Sequence, residues 1–78
     1  MIRFIQLKSG KILFGERNEM HQQILMRHLD EILDTDDLCC GGGFADREKK
    51  KMWGTSVDLG KFHTGLARKT FPDWQVEE

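Results

Sequence analysis

Cys40-Gly41-Gly42-Gly43-Phe44 and, after a charged turn, Gly54-Thr55-Ser56-Val57-Asp58-Leu59-Gly60 organise this chain. Three successive glycines lose more conformational entropy on folding than any other tripeptide. A strand that keeps them gains a bend, a bulge or a close approach in return. Between the two stretches lies Arg47-Glu48-Lys49, polar and turn-like, so Leu38–Asp46 and Lys50–Ser56 are predicted as two strands of a hairpin. That hairpin sets both groups of glycines at neighbouring strand ends, where backbone N–H groups can form a nest for an anion. A simple strand bulge is the other reading of Gly41-Gly42-Gly43.

Working outward, Met1-Ile2-Arg3-Phe4-Ile5-Gln6-Leu7 alternates as a strand does, and Lys8-Ser9-Gly10-Lys11 is a polar turn. Ile2–Leu7 and Lys11–Gly15 therefore form a first hairpin. From Asn18 the period changes. Leu25, Leu29, Ile32 and Leu33 fall on one side of a helix, with Gln23, Arg27, Asp30 and Glu31 on the other and Asn18 as N-cap. Asp34-Thr35-Asp36-Asp37 ends it, because carboxylates oppose the negative end of the helix dipole. Beyond Gly60 a second helix turns Phe62, Leu66, Ala67 and Phe71 inward and stops at Pro72. Asp73-Trp74-Gln75-Val76 closes the chain as a short edge strand. The predicted fold class is α/β (α+β): a single small domain over residues 1–78, order ββαββαβ, with a mixed, mostly antiparallel sheet and two helices.

Composition narrows the function classes. A chain of 78 residues has room for one thin core. Its net charge of −1 disfavours a protein that coats nucleic acid or a membrane. The basic run Arg47-Glu48-Lys49-Lys50-Lys51 near Trp53 is the one feature resembling a nucleic-acid contact, and balanced charge gives it little counterion-release affinity. No apolar run approaches the ~20 residues that span a bilayer. The N-terminus lacks a secretory apolar region, so a cytoplasmic, intracellular protein without a membrane partner is expected. Cys39 and Cys40 are adjacent and expected to be free thiols. Without a Cys-x-x-Cys, neither a metal site nor another cofactor is expected.

Among the histidines, His21 sits at the start of the first helix beside its apolar stripe. The positive end of the helix dipole favours a ring able to accept a proton, as a general base must. A structural histidine bonded to a carbonyl is the alternative. His28, seven residues on, lies ~10 Å along the axis and reads as a rim residue. His63 reads as a surface residue beside Lys61.

Taken together, Cys40-Gly41-Gly42-Gly43, a hairpin, Gly54-Thr55-Ser56-Val57-Asp58-Leu59-Gly60, and a helix ending in Phe71-Pro72-Asp73-Trp74-Gln75-Val76 resemble the Janus, or phosphohistidine phosphatase, family. Glu19-Met20-His21-Gln22-Gln23-Ile24 falls where that family has its catalytic histidine, and Arg3 where it has a lysine in its first strand. The resemblance implies removal of phosphate from phosphohistidine, without metal or covalent cofactor, by water activated by His21. It also implies that backbone amides around Gly43 and at Thr55, Ser56, Val57 and Asp58 hold the phosphoryl oxygens, with Arg3 and the Ser56 hydroxyl assisting. The implied partner is a phosphorylated protein or a small phosphoramidate. Three departures stand out. Phe44 replaces an arginine that contributes to substrate binding, Asp58 replaces a small neutral residue, and the second hairpin is shorter. Arg47 is a candidate substitute for the missing cation, its alternative being a solvated turn charge. The competing functional class is a non-catalytic module of the same fold that binds an anion or a partner protein.

Overall fold

In the computed structural model, which describes all 78 residues, five strands form one sheet. They are β1 (Ile2–Leu7), β2 (Ile12–Phe14), β3 (Cys39–Asp46), β4 (Lys51–Trp53) and β5 (Gln75–Val76), ordered β2-β1-β3-β4-β5. Every pairing is antiparallel except β4 with β5. The helices are α1 (His21–Arg27), α2 (Leu29–Thr35) and α3 (Thr64–Thr70). The predicted class and mixed sheet hold, with the first helix in two pieces. No helix is long and apolar enough to cross a membrane.

Alternation along β1 divides the core in two. Phe4 packs with Ile12, Ala45, Met52, Phe62, Ala67 and Val76, and Ile5 and Leu7 pack with Leu13, Ile24 and Ile32. The sheet is therefore covered by α1 and α2 on one face and by α3 on the other. Each buried large side chain contributes about 1.5–3 kcal/mol, so neither cluster would hold the fold alone. Buried Gln6 fastens the second layer: its Nε2 donates to the His63 carbonyl at 3.0 Å, and its Oε1 accepts from the His63 N–H at 2.7 Å.

The glycines lie in mid-strand rather than at strand ends. Gly41, Gly42 and Gly43 pair with Gln6, Ile5 and Phe4, and the one bulge falls before them, where Leu7 pairs with Cys39 and Cys40 is passed over. Gly41 lacks a side chain because the chain at Lys61 and Phe62 lies against it: a Cβ there would come within 2.7 Å of the Lys61 carbonyl carbon and 2.8 Å of Phe62 Cα.

Several local expectations are corrected. Asn18 is not an N-cap. It sits in a turn at φ +67°, and α1 begins three residues later, with the Met20 N–H donating to Gln23 Oε1. The helix breaks at His28 (φ −107°, ψ 11°), which turns Leu33 out to 63% exposure, while Ile32 stays buried. Strand β4 stops at Trp53 rather than Ser56, because Gly54 adopts φ +83° and the Phe44 ring fills the place where a side chain would stand.

Carboxylates at the surface tie the helical layer to β1, β2 and the chain before α1. Arg27 beside Glu19, Lys11 beside Glu31 and the Ser9 hydroxyl and N–H on Asp37 hold these three groups below the usual carboxylate range. A depressed folded-state pKa stabilises above the unfolded value and loses that contribution as pH falls through the folded one. Thermal unfolding should therefore show a plateau in melting temperature above about pH 5 and a progressive fall below pH 4. Ser9→Ala should flatten the part of that fall due to Asp37.

Candidate functional site

The first turn of α1 delivers His21 onto β3 from the face that also carries Ile5. The ring is 5% exposed, and its Nε2 lies 2.8 Å from the Gly43 carbonyl oxygen. A carbonyl only accepts, so Nε2 carries the proton, and in the neutral ring Nδ1 is the basic nitrogen. Every side-chain nitrogen or oxygen closed off from solvent has a hydrogen-bond partner. Nδ1 makes no protein hydrogen bond, so it reaches solvent. The two alternatives for this histidine thus coincide: it is carbonyl-bonded and it presents a free acceptor.

Ser56 stands on the other side of Gly42. A methyl group on Gly42 would meet His21 Cδ2 at 3.0 Å and Ser56 Cβ at 3.4 Å, so glycine is what lets imidazole and hydroxyl flank one point of the strand. The Ser56 side chain is buried, its Oγ accepting from the Leu59 N–H at 3.0 Å, which leaves its proton free to donate. Backbone bonds fix the loop against β3: Gly42 N–H to Gly60 O, Ser56 N–H to Gly42 O, and Gly60 N–H to Ser56 O. These bonds consume the Gly42 and Ser56 amides. Because Gly42 turns its polar groups toward the loop, alternation turns those of Gly43 toward Phe4 in β1.

The expected donors are therefore redistributed. Gly43 supplies a carbonyl that orients His21, not an amide for an anion. In the loop, the Val57 and Asp58 N–H groups have no protein acceptor, Val57 is 100% exposed, and Thr55 and Asp58 are exposed. Arg3 pairs with Phe44 across the strands; its guanidinium lies 5.7 Å from the Phe44 ring centre and its Nη1 is 3.4 Å from the Glu19 carbonyl. The Phe44 ring also meets the His21 ring edge-on at 5.5 Å. His21, Ser56, Arg3 and Phe44 thus share one face of the sheet.

Other candidates are elsewhere. Arg47 lies over Phe14 at 4.9 Å, in the layer of α3, and does not approach His21. His63 caps α3, its Nδ1 accepting from the Leu66 N–H, and His28 is 3.5 Å from Glu31. Cys39 and Cys40 are free thiols, both pushed up by burial and so poor nucleophiles.

Sequence reasoning missed an open hollow of about 290 Å³ lined by Asp46, Lys49, Lys51, Trp53 and Glu77. Phe44 pairs with Trp53 and Asp46 with Lys51, so the hollow continues the His21 face. The period of two along each arm of the hairpin was the signal for it. No family model, no curated protein and no solved structure matches the chain.

Proposed function

We propose that the protein is a phosphohistidine phosphatase-like hydrolase acting, without a metal, on a phosphorylated protein or a small phosphoramidate. The observation that carries this is the His21–Gly43 hydrogen bond, which fixes the tautomer and leaves Nδ1 as the open base. In the reaction, water attacks phosphorus as its proton passes to His21 Nδ1. The P–N bond breaks, the pair of electrons leaves with the substrate nitrogen, that nitrogen takes up a proton from solvent, and the His21 imidazolium returns its own to solvent, which restores the base. The phosphoryl oxygens are received by the exposed Val57 and Asp58 N–H groups, with buried Ser56 holding the loop that presents them, so the loop supplies positioning and charge stabilisation. The resemblance of the glycine and aromatic landmarks to the Janus family supports the same chemistry.

Wild-type protein should release phosphate from a phosphohistidine peptide or from phosphoramidate, and excess chelator should leave the rate unchanged. The Asp58 carboxylate opposes an anion in the loop that also offers its N–H. Asp58→Asn should tighten inorganic phosphate binding about threefold to fivefold, the scale of one exposed like charge. Unchanged or weaker binding, read from amide resonances of the loop, would place the anion elsewhere.

Phe44 favours a second function, a non-catalytic module that binds an anion on the same loop. Its ring occupies the place of the family arginine and covers one edge of His21. Phosphate binding without turnover is the result that distinguishes it.

A further inference from the structure

We propose that Lys61 is the cation of this site, binding the phosphoryl group and replacing the charge that Phe44 removes; the proposal rests on the hydrolase reading of His21 and Ser56. Lys61 bridges in parallel to Gly42, and Gly42 N–H is held by the preceding carbonyl of Gly60. Residues paired across a bridge direct their side chains to the same side of a sheet. The side of Gly42 is the side of His21 Cδ2 and Ser56 Cβ. The neighbours of Lys61 agree with this direction: the next residue, Phe62, is buried in the opposite core with Phe4, and the Lys61 carbonyl turns toward Gly41 on that opposite side.

The competing cations are committed elsewhere. Arg47 lies over Phe14 in the other layer, and Arg3 rests on the Glu19 carbonyl and the Phe44 ring. Lys61 is exposed and makes no ion pair or side-chain hydrogen bond within the protein. A flexible ammonium beside a loop with two free N–H groups matches the three-oxygen face of a phosphoryl group, as a point charge rather than a bidentate fork.

Titrating inorganic phosphate into wild type, Lys61→Met and Lys61→Arg, while following amide resonances of Gly42 and residues 56 to 60, tests this. Lys61→Met should weaken binding about fivefold to tenfold and flatten its dependence on ionic strength, with Lys61→Arg within about twofold of wild type. Lys49→Met, in the hollow beyond Trp53, should bind as wild type does. Unchanged binding in Lys61→Met overturns the assignment of Lys61; if His21→Gln then still abolishes turnover, the hydrolase reading stands without it. Absence of any phosphate-induced shift in wild type overturns both. Retained amide dispersion in Lys61→Met separates lost binding from lost fold.

Discussion

His21→Gln should lower phosphate release from phosphoramidate by at least about a hundredfold while leaving the fold intact. A general base contributes on the order of 10²–10⁴ in rate. Glutamine is the informative replacement because its amide nitrogen can take the place of Nε2 and still donate to the Gly43 carbonyl, which sits 2.8 Å away in the native protein. What glutamine cannot supply is a base, because its amide oxygen accepts a hydrogen bond but takes up no proton near neutral pH. His21→Ala removes both functions and leaves a cavity where a 5% exposed ring packed, so a loss of activity there mixes chemistry with stability. A wild-type rate in His21→Gln would exclude this imidazole from the chemistry.

Gly41→Ala should be the most damaging single methyl in the chain. The added Cβ meets the Lys61 carbonyl group and Phe62 Cα, all backbone, so no rotamer change relieves the contact. Overpacking costs about 1–3 kcal/mol even where side chains can yield. The upper end applies here, against a total near 4–12 kcal/mol for a domain of this size. At ~4–8 °C per kcal/mol, the melting temperature should fall by more than about 12 °C. Gly65→Ala is the matched control. It stands in α3, where the nearest atom to an added methyl is His63 Cε1 at 3.4 Å, and the gain in helix propensity should raise stability by roughly 0.5–1 kcal/mol. A small loss at Gly41 would mean that the Lys61–Phe62 segment yields easily, and the face it presents beside Gly42 would then be loosely defined.

The sheet was legible because alternation and turn chemistry agree along the chain. Phe4 and Ile5 announce two opposite cores, Lys8-Ser9-Gly10 a turn, and Pro72 the end of α3. Helix details were less legible. Asn18 has the chemistry of a cap, but equally that of a left-handed turn residue, and tertiary context selected the second. The break at His28 shifts the helical phase of α2 relative to α1, so periodicity counted from Leu25 misplaces Leu33.

The candidate site divides in the same manner. His21 and Ser56 could be singled out as residue types, yet their relation through Gly42 depends on the β1–β3 register, which a one-residue slip would reverse. The role of Gly43 was read from the wrong end of its peptide unit, as an N–H for an anion where the carbonyl faces the imidazole. Lys61 carried no signal in sequence, since its side is decided by a bridge to a residue nearly twenty positions away.

Gln6 ties the first strand to the candidate site. By clasping both polar groups of one residue at the foot of α3, its carboxamide does what an extra strand would do, and it anchors the exit of the Ser56-to-Lys61 loop to the centre of the sheet. The loop's exit is thereby moored to the interior of the sheet and not to the two-residue strand at its C-terminal edge.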